Sequence, residues 1–179
     1  EGIMRETIRE LISEEQVNQK IRELGEQISR YYEGKTVHLV CILKGACFFM
    51  CELAKRITVP VSMDFMTVSS YGSGTKSSGI VRIKKDLDDP IDGLNVIIVE
   101  DIVDSGRTLF YLEEVFRQRG CASVRTCTLL DKPERRVVDL NVDYTGFVIP
   151  DKFVVGYGMD YDQRYRDLPF IGVVQFSEE

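Results

Sequence analysis

The chain has 179 residues, an apolar fraction of 44% and a charged fraction of 29%, which predict one soluble globular domain over residues 1–179 and exclude disordered and disulfide-rich classes. Its net charge of −6 argues against nucleic acid as a partner, and no apolar run approaches the roughly 20 residues of a membrane span, so no membrane insertion is expected. Five cysteines without a CxxC pair, in a chain that opens with no leader pattern, predict a reducing, cytoplasmic setting.

The first half of the sequence alternates between helical and strand patterns. Ser13 and Gln16 form a candidate capping box at the start of a helix that Gly34 can end. A continuous apolar run at residues 37–43 predicts a strand buried on both faces, and residues 46–57 have the length and composition of a helix. Strands are predicted around residues 61–67 and 80–85, and the Ser-, Gly- and Thr-rich segment 69–79 predicts a mobile loop.

The second half repeats this pattern around a central strand. Residues 95–99 predict a short apolar strand, residues 109–118 a helix closed by Gly120, and residues 123–130 another buried strand. Further strands are predicted near residues 142–149, 153–156 and 170–176. The alternation predicts an α/β fold with a mostly parallel, twisted sheet flanked by helices, in which ligands bind beyond the carboxyl ends of the strands.

The segment after the strand at residues 95–99 combines acidic residues with a glycine turn. It reads Glu100-Asp101-Ile102-Val103-Asp104-Ser105-Gly106-Arg107-Thr108. Its Ser-Gly-Arg-Thr end precedes a helix, so backbone N–H groups, two hydroxyls and the helix dipole can bind one phosphate. The longer GxxxxGK[ST] loop is absent. We therefore predict a cradle for a monophosphate.

The acidic end of the same segment predicts a second kind of ligand. Adjacent Glu100 and Asp101 at a strand end cannot both be buried without a large desolvation cost, so they need a partner such as Mg2+ or sugar hydroxyls. A phosphate site beside a diol site suggests ribose 5-phosphate. The alternative for a lone Asp-Ser-Gly turn is a solvated acidic loop that caps the following helix.

Five segments of the chain together resemble one protein family. The first is residues 100–108, and the others are Leu43-Lys44-Gly45, Ser69-Ser70-Tyr71, Leu130-Asp131-Lys132, and residues 153–160 followed by Arg164-Tyr165-Arg166. In this order and spacing they resemble the type I phosphoribosyltransferases, and within that family the bacterial hypoxanthine or hypoxanthine-guanine enzymes. The resemblance covers nearly the whole chain and implies the family's fold, with a small hood formed by terminal segments.

The resemblance implies that the chain transfers the 5-phosphoribosyl group of phosphoribosyl pyrophosphate to a purine. Asp104 would be the catalytic proton acceptor that faces the purine imidazole. Ribose and phosphate would be bound by Glu100, Asp101, Asp104, Ser105, Gly106, Arg107 and Thr108. The family's cofactor, Mg2+, would lie near Glu100 and Asp101, with Asp160 at a second magnesium site.

The resemblance also assigns the leaving group, the base and a lid. Lys44 and Gly45 match a pyrophosphate loop in which a non-proline cis peptide bond is expected, and Arg166 matches a further pyrophosphate contact. The purine would be bound by Lys132, which donates to its 6-oxygen, by Phe153, which stacks on it, and by Val154 and Asp160. Ser70 and Tyr71 match a flexible lid over the reacting centre.

The implied substrates and products are phosphoribosyl pyrophosphate, hypoxanthine, guanine, IMP and GMP, and the implied assembly is a homodimer or homotetramer. Two alternatives remain open: an enzyme of the same fold for xanthine, adenine, orotate or uracil, and a non-catalytic regulator that senses the donor. Outside the motifs, we interpret His38 as a structural residue of a buried strand. Cys47 and Cys51, one helical turn apart, are interpreted as packing residues.

Overall fold

The computed structural model describes residues 4–71 and 80–178. Its helices and strands, in chain order, are β1 (Met4–Ile12), α1 (Glu14–Tyr31), β2 (Val37–Leu43), α2 (Cys47–Ala54), β3 (Val61–Tyr71), β4 (Ile80–Lys85), β5 (Asn95–Val103), α3 (Arg107–Gln118), β6 (Ser123–Asp131), β7 (Tyr144–Val148), β8 (Val154–Val155) and β9 (Ile171–Glu178). A short 3-10 turn, Pro133–Arg135, follows β6. Within the described ranges, no helix is both long enough and apolar enough to span a membrane.

Six strands form the central sheet in the order β4-β3-β2-β5-β6-β7. All neighbours are parallel except β3 and β4. Strand β2 is buried on both faces, as predicted: Leu39 and Cys41 pack in the apolar layer that contains residues of α1 and α2, whereas Val40 and Ile42 pack in the layer of α3. The predicted α/β fold with a mostly parallel sheet is therefore confirmed.

A second, three-stranded sheet joins the two ends of the described chain. Strand β9 lies between β1 and β8 and is antiparallel to both, and Met4 is paired with Glu178. This sheet is the small hood that the family resemblance implies. Sequence patterns do not predict a strand at β1, because charged residues alternate there with few apolar ones.

The start of α1 follows the predicted capping pattern. The Ser13 hydroxyl accepts a hydrogen bond from the Gln16 backbone at 3.1 Å, and the Gln16 side chain accepts one from the Ser13 backbone at 2.9 Å. The helix ends at Tyr31, three residues before Gly34. The capping box therefore starts α1 directly after the end of β1.

Two strand ends differ from the prediction. Strand β5 continues four residues past Val99 to Val103, so Glu100 and Asp101 lie inside a strand rather than in a loop. Strand β3 continues to Tyr71, so residues 69–71, which were predicted to belong to a mobile loop, lie in a strand. In both cases backbone pairing with a neighbouring strand outweighs the weak strand preference of Ser and acidic residues.

Candidate active site

The predicted site residues gather at the carboxyl edge of the central sheet. Lys44 directly follows β2, Asp104 directly follows β5 and Lys132 directly follows β6. These three strands are parallel neighbours, so their carboxyl ends meet at one edge. Sheet topology thus brings together three residues that are up to 88 positions apart in the sequence (132 − 44).

The predicted phosphate loop lies between β5 and α3. Gly106 caps α3 in the left-handed conformation, with φ of 83°, and the Ser105 hydroxyl accepts a hydrogen bond from the Arg107 backbone at 3.3 Å. A cavity of about 420 Å³ opens above the loop. Among the predicted ribose and phosphate residues, it is lined by Glu100, Asp104, Ser105, Gly106, Arg107 and Thr108.

A second cavity, of about 200 Å³, borders the first. It contains the predicted purine-binding residues together with one member of the acidic pair: Asp101, Asp104, Lys132, Phe153, Val154 and Asp160. Asp104 lines both cavities. Asp104 therefore lies at the boundary between a space suited to a phosphate and a space suited to a base.

Lys132 is held in place by two carboxylates. Only 7% of the residue is exposed, and its Nζ lies 3.8 Å from Oδ1 of Asp104 and 3.6 Å from Oδ1 of Asp151. Asp151 is a site residue that sequence reasoning missed; its position two residues before Phe153 is the one signal that could have indicated it. The two acids compensate the buried ammonium group and fix it at the wall of the second cavity.

Phe153 is 53% exposed, and a row of aromatic rings supports it. Its ring meets Tyr161 edge to face at a centroid distance of 5.5 Å, and Tyr161 meets Phe176 of β9 in the same way at 5.7 Å. Such edge contacts favour one ring orientation. The hood therefore orients the exposed aromatic ring that lines the second cavity.

Two predicted pyrophosphate residues share one acceptor. The Leu43–Lys44 peptide bond is cis, which confirms that part of the prediction. Lys44 Nζ and Arg166 Nη2 each donate to Oε1 of Gln163 at 3.4 Å, and Arg166 also pairs with Asp160 at 3.4 Å. Sequence reasoning missed Gln163, since no chemistry of its own distinguishes it. The Gln163 amide brings the two cations together on one side of the site.

The loop that carries Asp160 and Arg166 is anchored to the N-terminal strand. Arg164 forms an ion pair with Glu6 at 3.0 Å, and the Tyr165 hydroxyl also donates to Glu6. The backbone of Asp162, Gln163 and Tyr165 has positive φ values. Strand β1 thus supports a site to which it contributes no predicted ligand.

Glycines 45 and 158 allow two loops to approach each other and the acidic pair. A Cβ at residue 45 would overlap Oδ2 of Asp101 and lie 2.7 Å from its Cγ. A Cβ at residue 158, where φ is 95°, would overlap the carbonyl oxygen of Gly45. The backbone of residue 45 is therefore enclosed between Asp101 and Gly158.

The acidic pair is more buried than its sequence pattern suggests. Glu100 is only 8% exposed and Asp101 is half-buried. Burial raises the pKa of both carboxyl groups, and the adjacent Asp101 charge raises the pKa of Glu100 further. The desolvation cost predicted for two adjacent acids at this strand therefore falls mainly on Glu100, which is the more buried of the two, and it persists in the ligand-free chain.

This cost leads to a stability prediction. Replacing Glu100 with Gln should raise the Tm of the ligand-free chain at neutral pH. In a domain of this size, each kcal/mol added to the free energy of unfolding raises Tm by about 2–4 °C. When folding raises the pKa of a carboxyl group, the protein becomes less stable as the pH rises from the ordinary pKa of that group, about 4.3, through its pKa in the folded state. The gain should therefore vanish below about pH 4. Melting curves at pH 4 and 7.5 measure it, with exposed Glu26→Gln as control, and a lower Tm at pH 7.5 would contradict it.

The acidic pair fits a metal ion whose other ligands come from a substrate. In the described parts of the chain, no group of three or more His, Cys, Asp or Glu side chains could hold a metal ion by itself. Asp160 is paired instead with Arg166. One buried and one half-buried carboxylate, both with raised pKa values, suit Mg2+, which usually keeps waters or substrate phosphates as most of its ligands.

The remaining predictions have mixed outcomes. The backbones of Ser70 and Tyr71, the predicted lid residues, pair with β4, and residues 72–79 of the predicted lid lie outside the described residues. His38 is buried in β2 and its Nδ1 lies 2.7 Å from the Ser62 hydroxyl, in agreement with a structural role. Cys51 is exposed, so its interpretation as a packing residue was wrong.

Comparison with known proteins gives one consistent result. The model of the phosphoribosyl transferase domain family matches residues 9–162. Hypoxanthine-guanine phosphoribosyltransferase of Streptococcus thermophilus is 53% identical over 165 residues, which cover 92% of each chain. The crystal structure of the corresponding Bacillus anthracis enzyme has a TM-score of 0.90 and 46% identity, covering 96% of this chain and 99% of that one. A hypoxanthine phosphoribosyltransferase structure from Staphylococcus aureus has a TM-score of 0.90 and 47% identity, covering 93% and 91%.

Proposed function

The chain belongs to the phosphoribosyltransferase family, and from that premise we propose that it transfers the 5-phosphoribosyl group of phosphoribosyl pyrophosphate to hypoxanthine and guanine. The products are IMP or GMP and pyrophosphate, so the chain acts in purine salvage. The observation that carries this proposal is the pair of adjoining cavities that share Asp104. One has the backbone turn and hydroxyls that bind a phosphate, and the other has a buried lysine and an exposed aromatic ring.

The base would bind in the second cavity. Phe153 offers a stacking surface, and the Lys132 ammonium donates to an acceptor at the purine 6-position. Hypoxanthine and guanine carry an oxygen there, which accepts a hydrogen bond. Adenine carries an amino group, which is a donor like the Lys132 ammonium and so cannot pair with it. A mismatch of this kind discriminates strongly, because it leaves polar groups unpaired.

The reaction would be attack by a purine ring nitrogen on C1 of the ribose while pyrophosphate leaves. The transition state has oxocarbenium character, so positive charge develops on the sugar. Asp104 lies between the two cavities and would accept the proton of the purine imidazole. Glu100 and Asp101 would bind the ribose hydroxyls and place negative charge near the developing cation.

The leaving group would be stabilised on the other side of the site. Lys44 and Arg166 already share the Gln163 amide as acceptor, and pyrophosphate oxygens could replace that neutral acceptor with a charged one. We propose Glu100 and Asp101 as protein ligands of Mg2+, and Asp160 as a second magnesium contact. When bound, Mg2+ supplies positive charge that neutralises the departing pyrophosphate.

Further proposals concern the setting of the enzyme. We propose that residues 1–179 act as one phosphoribosyltransferase domain in the cytoplasm, assembled as a homodimer or homotetramer. The free state of all five cysteines supports a reducing compartment. Sedimentation equilibrium of the purified chain tests the assembly.

A base screen tests the proposed activity directly. The purified chain is incubated with phosphoribosyl pyrophosphate, Mg2+ and one of hypoxanthine, guanine, xanthine, adenine, orotate or uracil, and the change in base absorbance is followed. We expect turnover of hypoxanthine and guanine and little or none of adenine. Turnover of another base alone would redirect the substrate assignment, and no turnover of any base would overturn the enzymatic proposal.

The base assignment depends most on Lys132. We expect Lys132→Met to raise KM for hypoxanthine by roughly 10–100-fold, because a hydrogen bond to a charged group contributes about 1.5–3 kcal/mol, while KM for phosphoribosyl pyrophosphate changes little. The ratio of kcat/KM for hypoxanthine to that for adenine should fall as well. Steady-state kinetics with both bases measure the effect, and Lys20→Met, on α1, serves as control. An unchanged ratio would remove Lys132 from base selection.

A further inference from the structure

Arg136 lies outside every motif that identifies the site, yet it contacts the phosphate loop. It follows the 3-10 turn after β6. Its Nη2 pairs with Oδ1 of Asp131 at 2.7 Å, and its Nη1 donates to the backbone carbonyl of Asp104 at 3.0 Å. The Arg136 and Asp131 side chains are only 16% and 12% exposed. One guanidinium thus connects the last residue of β6 to the backbone of the proposed proton acceptor.

Three other contacts join the same two segments. The backbone N–H of Val137 donates to the Ser105 carbonyl at 3.0 Å, and the backbone N–H of Lys132 donates to the Val103 carbonyl at 3.0 Å. A Cβ at Gly106 would lie 2.9 Å from Cδ of Arg136, so the arginine stem packs closely against the glycine turn. Residues 132–137 therefore hold residues 103–106 from one side.

The charges around Arg136 make this connection rigid. A guanidinium can donate in two fixed directions at once, and hydrogen bonds to a carboxylate are among the shortest and strongest in proteins. Asp131 fixes one end of the fork and the Asp104 carbonyl accepts at the other. Rotation of the Asp104 peptide would break the second contact and leave a largely buried donor unpaired.

We propose that Arg136 is a positioning residue for phosphoribosyl transfer, which acts by fixing the peptide that carries Asp104. Asp131 orients Arg136, and Arg136 holds the Asp104 backbone so that its carboxylate faces the boundary between the two cavities. Because Asp131 directly precedes Lys132, the contacts of Arg136 with Asp131 and Asp104 also fix the position of the base-binding lysine relative to the proton acceptor. This inference rests on the proposed function, in which Asp104 accepts the purine proton.

A purely structural ion pair would behave differently. It would lower stability when removed but would leave the position of the Asp104 carboxylate unchanged. The chain provides a second short arginine–aspartate pair, although a more exposed one. Arg119 donates to both oxygens of Asp86 at 2.8 and 2.7 Å, between the loop after β4 and the end of α3, away from both cavities. Arg119→Met therefore serves as the control for loss of a short arginine–aspartate pair.

The test compares kcat and Tm for Arg136→Met, Arg136→Lys and Arg119→Met. We expect Arg136→Met to lower kcat for hypoxanthine by roughly 10–100-fold, by analogy with residues that orient metal ligands, whose removal costs that much activity. Arg136→Lys should lose part of kcat, because a single ammonium cannot donate along both directions of the fork. Arg119→Met should lower Tm and leave kcat within about twofold of the parent chain.

A second variant distinguishes action through Asp104 from an independent role. In the Asp104→Asn background, adding Arg136→Met should lower kcat by less than about threefold, because residues that act as a unit are not additive. A full, multiplicative loss in that background would overturn the proposal, and so would an unchanged kcat in Arg136→Met. If Arg136→Met does not fold, Arg136→Lys in both backgrounds decides by the same criteria. Failure of the proposed function is seen separately, as absence of turnover in the parent chain.

Discussion

Replacing Asp104 with Ala is expected to lower kcat for hypoxanthine by roughly 10²–10⁴-fold, the contribution of a well-placed general base. The structural reason is its position directly after β5, where it lines both the phosphate cavity and the base cavity. No other carboxylate in the described residues lines both. Asp104→Asn should fall in the same range, because an amide keeps the size and a hydrogen-bonding oxygen but cannot accept the proton.

Steady-state kinetics with hypoxanthine and phosphoribosyl pyrophosphate measure this effect. KM for the donor should change far less than kcat, because the backbone groups of residues 105–108 that would hold its phosphate remain. Asp92→Asn, an exposed acid in the turn before β5, is the control and should retain full activity. If kcat of Asp104→Ala equals that of the parent chain, the proton-acceptor role is lost and the binding roles remain.

A methyl group added at Gly45 is expected to lower kcat/KM for phosphoribosyl pyrophosphate by about 10²-fold. The new Cβ would overlap the Asp101 carboxylate, and Gly158 closes off the opposite side of the loop, so the loop cannot retreat. The Asp101 carboxylate must therefore move from its present position in the acidic pair with Glu100. Displacing an active-site group by about 1 Å costs this much when the reaction depends on geometry.

The effect should be confined to the donor. KM for hypoxanthine should stay within about threefold, because Asp101 shares a cavity with Lys132 and Phe153 but is not one of the residues proposed to contact the base. The control is Gly34→Ala, which places a methyl group in open space at a residue with positive φ and so costs stability without touching the site. Equal losses of kcat/KM in the two variants would attribute the Gly45 result to destabilisation, and an unchanged kcat/KM for the donor would contradict the clash.

Much of the fold could be predicted from local patterns. The buried run of β2 and the alternation of β4 predict these strands with their observed ends, because each is bounded by a change in composition. The end of β5 could not be predicted in this way. Glu100 and Asp101 disfavour a strand locally, yet pairing with β6 as far as Asp131 keeps them in one. Tertiary pairing outweighed local preference at the residues of greatest functional interest.

Candidate site residues can be proposed from the sequence where the chemistry is carried by contiguous residues. Residues 104–108 have a turn, hydroxyls and a following helix in one segment, so their role can be inferred locally. Three other residues are assigned to the site only because of a contact with a residue distant in the sequence. They are Asp151, which contacts Lys132, Gln163, which contacts Lys44, and Arg136, which contacts Asp104. An acid, an amide or an arginine near a motif has no distinctive sequence pattern, and only the fold reveals what it contacts.

The pairing of β1 with β9 makes the described chain almost a closed ring. Met4 lies opposite Glu178, so a short peptide that joins these two residues would disturb neither sheet. New ends could then be opened in an exposed surface turn, such as that around Gly93, which has open space around it. A circularly permuted chain, in which the helices and strands follow one another from a different starting point, should therefore form the same hood over the same sheet.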